Sequence, residues 1–485
     1  MLEMKKIIYI TIGIIFLTSC EKFLDVKPVT EIPSELAVQS TKDLTTLLYG
    51  TYDGLQSGNV YGGNFIMFGD LLADDAAVDE GKLSQFGTSE IYNRVTSTQI
   101  GYLRYAWSDC YSTINRANLI IYYIDNDLIN DEDFEEIKDD YKGQALFIRA
   151  ITHFQLLNFW SHAYNVDNPE GNTQLGIPYR TTPTLSYLDE LDMARNTVEE
   201  VYNKIITDLQ NSIDLIEATS HSSMASKMAA TAFLARVYFF KGDYANAAIE
   251  ANNVINSSGS YDMADSASIA EIYQLQGDYA DDEVIFQLVN TSSDQSNALP
   301  GYYQSTKGAI FYSSTELLDS YRTDYDTTLD FWGSPIFSDV RAKLLLTYYS
   351  NLNKAFIAKW NQSGSLSNNI PIIRLAEMHL IRAEANYLTN GLQTEALDSY
   401  KAVRARSVGE AIYEAEGTPA WTDDDFLVKI RAERRRELAF EGDRYLNLRR
   451  LKQNVRDGVA YNDNSLLFKI PQEEMSGNSL MEQNP

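Results

Sequence analysis

Cysteine is nearly absent from this 485-residue chain: Cys20 and Cys110 are its only two. Two cysteines cannot build a disulfide framework. Histidine is as scarce, at four (His153, His162, His221 and His379), with no close pairing. The patterns CxxC, HExxH and GxSxG do not occur, and glycine-rich phosphate loops are missing. No metal, nucleotide or hydrolase signature is therefore present, and no cofactor is expected. Positive charge is also short: 40 Lys and Arg stand against 68 Asp and Glu, a formal net charge of −28. Such acidity argues against nucleic acid and against an anionic lipid surface, since both repel it. Long apolar runs are missing as well. The one apolar stretch, Ile7 to Leu17, falls short of the roughly 20 residues a bilayer-spanning helix needs.

That stretch is informative for its setting. Lys5 and Lys6 precede it, small residues follow, and Leu17-Thr18-Ser19-Cys20 closes it. This is the layout of a signal peptide with its cleavage site, which assigns residues 1–19 to a leader. The tetrapeptide resembles the lipobox of bacterial lipoproteins, which implies that Cys20 is lipidated and becomes the new N-terminus. Membrane contact is then expected through that lipid alone. Cys110 sits in WSDCYSTINRANLII, a helical pattern, and reads as a buried small residue.

Beyond the leader the pattern is helical, and runs of β-type alternation are scarce. Helices are expected near 102–124, 133–160, 197–217, 224–240, 243–256, 372–389, 392–407 and 423–450. Thr197 with Glu200 has the spacing of a capping box, and Thr422 before Asp423 to Asp425 marks another helix start. Long polar and aromatic stretches separate them, at 57–101, 161–196, 257–311 and 322–370. Loops of that length are functional or disordered, and their aromatic content argues against disorder.

An internal repeat is visible. In LARVYFFKGDYANAAIEANNV, Tyr238, Gly242, Ala247, Ala251 and Val254 stand at the intervals later taken by Tyr387, Gly391, Ala396, Tyr400 and Val403. The pattern resembles the tetratricopeptide repeat, where small residues let two antiparallel helices approach. GQALFIRAITHF offers a third copy of the first helix. These aromatics and alanines are read as core packing.

The segment RAERRRELAFEGDRYLNLRR, 431–450, is basic, but a helical projection puts Ile430, Leu438, Tyr445 and Leu448 on one stripe. Arg434, Glu437, Glu441 and Arg444 fall on or beside it. Charges on a buried stripe must be paired. The three-residue spacings predict pairs Arg434–Glu437 and Glu441–Arg444, an internal seam, with Gly442 as the point where the helix can break. The same residues resemble the C-terminal signature of SusD/RagB-family surface lipoproteins: Glu433, Arg434, Arg435, Glu437, Leu438, Glu441, Gly442, Arg444, Tyr445, Leu448, Arg449 and Arg450 match it. Asp443, Tyr445 and Asn447 stand where the family often has His, Trp and Asp. SCEKFLDVKP, WSDCYSTINRANLII, YKGQALFIRAITHFQLLNFW and STELLDSYRTDYDTTLDFW match in order along nearly the whole mature chain.

The resemblance implies a mainly α fold: a single domain, 20–485, of tetratricopeptide-like helix pairs packed against an irregular, loop-rich half. Its N-terminal part spans about 20–220 and its C-terminal part about 270–485. It further implies a lipoprotein on the outer face of an outer membrane. Such a protein is non-catalytic, captures oligosaccharides and delivers them to a SusC-like TonB-dependent β-barrel transporter.

A sugar site needs flat aromatic faces and neighbouring amides or carboxylates. Loop positions with that chemistry are Phe86, Tyr92, Asn93 and Arg94, then Tyr302, Tyr303 and Gln304, and finally Trp332. DYDTTLD, from Asp324, superficially resembles a calcium loop, but it lacks the glycine and the bidentate Glu such loops carry, so no metal is expected there. The residues leave other readings open: the same architecture binding oligopeptides, a surface glycoside hydrolase using paired carboxylates, or a protein-binding scaffold.

Overall fold

The computed structural model describes residues 38–485 except 84–86, 169–170, 187–188, 190, 218–221, 258–260, 306–307, 325, 327–335, 350–351, 353, 361–366 and 418–421. The leader with Cys20, Phe86, Trp332 and most of the calcium-like stretch lie outside the described residues.

Helices form where caps meet apolar faces. In α1 (Thr41–Gln56) the Ser40 hydroxyl accepts from Asp43 N while the Asp43 carboxylate accepts from Ser40 N. Then come α2 (Asn64–Leu72), α3 (Gly101–Asp125) and α4 (Phe134–Trp160). α5 (Val198–Leu215) starts on the expected Thr197–Glu200 capping box. α6 (Lys227–Lys241) ends at Gly242, whose φ of +80° is the left-handed turn that leads into α7 (Tyr244–Ile255). α8 (Leu375–Asn390) and α9 (Thr394–Val408) form the second repeat unit. α10 (Asp423–Glu437) opens on the Thr422–Asp425 box and α11 (Asp443–Arg450) follows.

Each helix leans on the next. α1 packs on α3, α3 on α4, α4 on α5, and so on through α9, with α10 against α8 and α9. Ala247, Ala251 and Val254 of the first repeat and Ala396, Tyr400 and Val403 of the second are buried between helices. The remaining half is irregular. Its strands are β1 (Ala76–Val78), β2 (Val284–Leu288), β3 (Phe311–Ser313), β4 (Leu346–Tyr349), β5 (Lys354–Ile357) and β6 (Ile370–Arg374). They pair antiparallel as β1–β3, β2–β6 and β4–β5, with Ala77 opposite Tyr312 and Thr347 opposite Phe356. The mainly α architecture with a loop-rich half is the one expected.

The single helix expected over 423–450 is instead two. Phe440 (φ +62°) and Gly442 (φ +83°) take left-handed backbone, and the turn between α10 and α11 is anchored from outside. Trp360 Nε1 donates to the Phe440 carbonyl at 3.0 Å and Lys359 Nζ to that of Ala439 at 2.8 Å. Phe440 itself is buried in the main core.

The break corrects the expected ion pairs. Arg434, Glu437, Glu441 and Arg444 are all paired, but none to another of the four. Arg434 reaches Asp443 (2.5 Å) and Glu377 (3.2 Å). Glu437 meets Arg341, Arg374 and Arg406 at 2.9, 3.1 and 2.6 Å. Glu441 meets Arg374 (2.8 Å) and Lys359 (2.7 Å), and Arg444 holds Asp74 at 2.6 Å. The reason is geometric: Glu441 lies in the turn before α11 and so loses its helical spacing to Arg444, while Arg434 and Glu437, still on α10, are taken by partners from other elements.

Around Glu437 the pairs merge into one buried network. Arg341, Arg374, Arg404, Arg406, Arg436 and Lys359 are linked to Glu283, Asp339, Glu416, Glu433, Glu437 and Glu441. Every cation has a carboxylate to match it, as burial demands. Burial raises the pKa of Glu433, yet Arg341, Arg436 and Arg404 outweigh it and hold the carboxyl down to about 2.

Tyr303 belongs to this interior rather than to a binding loop. Its ring stacks on Phe311 at 5.0 Å and its hydroxyl donates to Asp70 Oδ2 at 2.6 Å, both residues being buried. Burial, reinforced by Asp75, pushes the Asp70 carboxyl up to about 8, although Tyr303 and Lys359 pull the other way.

Two stability measurements follow. Arg374→Met leaves Glu283, Glu437 and Glu441 short of a cation in the interior, and the expected loss is about 3–5 kcal/mol by urea denaturation. Asp70→Asn tests the raised carboxyl. Its folded pKa lies above the unfolded one, so the stability it adds is complete at low pH and lost as pH rises from about 4 through 8. Asp70→Asn abolishes that decline, so at about pH 9 the variant is more stable than the parent by at least about 1 kcal/mol. An unchanged pH slope in denaturant melts would refute the shift.

Candidate functional site

α3 has two working faces. Leu103, Ala106, Cys110, Ile114, Ala117 and Ile124 recur at helical spacing and are buried, Cys110 included, as expected for it. On the opposite side Arg104, Tyr105, Ser108, Tyr111, Ser112 and Asn115 form a stripe that opens on a cleft of about 810 Å³. The facing wall comes from two distant segments. One carries Arg180, Thr182 and Thr184, with Leu191 beyond them. The other is the short helix Gln472–Gly477, with Pro471 before it and Asn478 after it.

Cross-bonds fix the walls to the helix. Asn115 Oδ1 accepts from Thr184 N at 2.7 Å, and Asn118 Nδ2 donates to the Arg180 carbonyl at 3.1 Å. Tyr111 OH donates to the Pro178 carbonyl at 2.9 Å, and the Tyr111 ring lies 4.9 Å from that of Trp107. Arg104 forms an ion pair with Glu473, and Trp107 Nε1 donates to Glu474 Oε2 at 3.3 Å. Asn478 exchanges both amide bonds with the Met193 backbone, at 3.1 and 2.9 Å.

What remains available is mixed. Tyr105 is 55% exposed and offers a flat face beside Ser108, Ser112, Asn115, Thr182 and Thr184. Neutral donors and acceptors around an exposed ring suit a polyhydroxylated ligand. A backbone hydrogen bond of its own residue and the Arg104 guanidinium keep the Glu473 carboxyl below its usual range, so it is ionised near neutrality.

The residues expected from the sequence fall elsewhere. Tyr302, on the short helix Leu299–Tyr303, is half-buried. Its hydroxyl donates to Asn64 Oδ1 at 2.9 Å, the first link of a chain through Asn59 to Asp109. Tyr303 and Gln304 are buried, which corrects their expected place at a ligand surface. Tyr92, Asn93 and Arg94 gather around a different pair. The Arg456 guanidinium lies 3.6 Å from the centre of the Tyr92 ring, Arg94 pairs with Asp457 at 2.8 Å, and Asn93 bonds back to the Ser89 carbonyl. Sequence reasoning missed the α3 stripe. Its signal was present as polar and aromatic residues at 104, 108, 111 and 115 of a strongly patterned helix, but the opposing wall lies far along the chain.

Comparison with known proteins agrees with this architecture. Residues 22–239 match a SusD-like family model described as "Starch-binding associating with outer membrane", and residues 306–465 match the SusD family model. A SusD-like protein of Formosa agariphila is 26% identical over 463 residues, covering 88% of this chain and 87% of the relative. A solved protein of Bacteroides vulgatus ATCC 8482 shares 28% identity at a TM-score of 0.77, over 93% of this chain and 99% of that one. A SusD superfamily structure from Bacteroides thetaiotaomicron VPI-5482 has the same fold at a TM-score of 0.78 and 24% identity, over 92% of this chain and all (100%) of its own. With residues 22–239 and 306–465 matched by these two models, the chain belongs to the SusD/RagB family.

Proposed function

We propose that the protein is a non-catalytic surface lipoprotein that captures oligosaccharides in the α3 cleft. Tethered through Cys20 to the exterior face of the outer membrane, it passes them to a SusC-like TonB-dependent β-barrel transporter. The observation that carries this reading is the exposed Tyr105 ring set among neutral hydroxyl and amide groups in a cleft large enough for several sugar rings. The starch-binding description of the matching family model supports the ligand class. Tyr92, Asn93, Arg94 and Tyr302 lie outside this cleft and are candidate contacts for a longer ligand or for the transporter.

Calorimetry on the full chain in detergent, with malto-, xylo- and galacto-oligosaccharides and a peptide mixture, checks the reading. One glycan class is expected to bind, and Tyr105→Ala weakens it about tenfold through lost stacking. Loss in Tyr302→Ala with Tyr105→Ala unaffected moves the site to the loop side. Peptide binding alone, or chromatographic evidence of cleaved sugar, overturns the proposal.

A further inference from the structure

Arginine collects in the cleft of a molecule whose overall charge of −28 repels anions. Arg104, Arg116 and Arg180 line it, against Glu473 and Glu474. How these arginines are engaged matters more than their number. Among the described residues most other guanidinium groups are hydrogen-bonded to carboxylates, as Arg149 is to Asp208, Arg444 to Asp74 and Arg450 to Glu384, while Arg195, Arg382 and Arg449 are held by neutral oxygens. Arg104 follows that rule through Glu473.

Arg116 and Arg180 do not. Among the described residues Arg116 has no carboxylate at ion-pair distance; its Nη1 donates to the Gly50 carbonyl at 2.7 Å. Arg180 donates Nη2 to the Leu191 carbonyl at 2.8 Å, and Glu474 stands 3.9 Å away, beyond hydrogen-bond reach. A guanidinium carries five N–H donors, so most of those on Arg116 and Arg180 are left for a ligand. Both side chains are half-buried, where a cation without a bonded counter-ion is partly stripped of water and gains most from an incoming anion.

The two lie on different walls. Arg116 projects from α3 on the side of Tyr105 and Ser112, about three and one turns nearer the N-terminus, whereas Arg180 comes from the opposing wall and lies 6.0 Å from the centre of the Tyr111 ring. We propose that the ligand of this cleft is an anionic glycan, whose uronate carboxylates or sulfate esters are taken by Arg116 and Arg180 while Tyr105 stacks on a ring farther toward the start of α3. This rests on the reading of the cleft as the glycan site.

The test is calorimetry on the full chain in detergent with four probes of matched length: oligogalacturonate, a sulfated galactan oligosaccharide, and the neutral galactan and malto-oligosaccharide. The acidic probes are expected to bind at least about tenfold tighter than the neutral ones at about 20 mM salt, with the gap closing toward about 300 mM. Arg116→Gln and Arg180→Gln each lower the acidic-to-neutral affinity ratio about tenfold, and Arg180→Lys restores only part of it, since lysine lacks the bidentate fork. Preference for oligogalacturonate identifies the carboxylate, preference for the sulfated probe the sulfate. Neutral glycans bound as tightly as acidic ones, with no salt dependence, overturn this inference and leave glycan capture standing. Silence toward all four probes overturns both. The salt series on the unaltered protein decides the matter even if a variant fails to fold.

Discussion

Six cations and six carboxylates placed in the interior, with Glu437 at their centre, are the constraint on which the rest of the fold depends. Burying that many charges is tolerable only if each finds its partner in good geometry, because an unpaired one costs several kcal/mol. The partners arrive from Glu283 just before β2, from β6, α9 and α10, and from the start of the short helix Val340–Leu344, so the network can close only when all of these are in place. It thereby selects one relative arrangement of the helical layer and the irregular half. Apolar packing alone, being non-directional, does not select in this way. The short strands contribute little by themselves, since isolated two-stranded ribbons are marginal. The β2–β6 pair is clamped at one end, where Arg374 meets Glu283.

Helix positions were legible in the sequence because they depend on local chemistry. Caps at Thr197 and Thr422 and the small-residue spacing of the repeat act within one or two turns. The break at 438–442 was not, because it rests on Trp360 and Lys359 reaching in from some 80 residues away to satisfy the turn's carbonyls. The pairing partners failed for the same reason. Three-residue spacing only permits a pair on one helix face, and on α10 both Arg434 and Glu437 are claimed by distant partners instead. Asp74, which holds Arg444, comes from the other end of the chain.

The site divides along the same line. Aromatic residues in turn-rich segments flag candidates, but burial sorts them, and burial is tertiary. Tyr302 and Tyr303 are neighbours in sequence, yet one meets the Asn64 polar chain and the other is sealed against Phe311 and Asp70. Conversely, Ser108 and Asn115 look like an ordinary solvated helix face. Only the wall supplied by Arg180, Thr182 and Thr184 and by 471–478 turns that face into a concavity.

That α3 carries core on one side and cleft on the other has a thermodynamic consequence. Its 25 residues are ordered by folding itself, with Trp107 and Ile114 locked into the interior beside the very residues that face the cleft. A ligand arriving there does not have to organise the receptor; the entropy lost on binding is chiefly its own. A floor of this kind discriminates by fit rather than by closing around whatever arrives. Selectivity therefore resides in the spacing of side chains along a single rigid rod, where each residue advances about 1.5 Å. Changing the preferred ligand then needs only a few substitutions on that outer stripe, leaving the charged interior untouched.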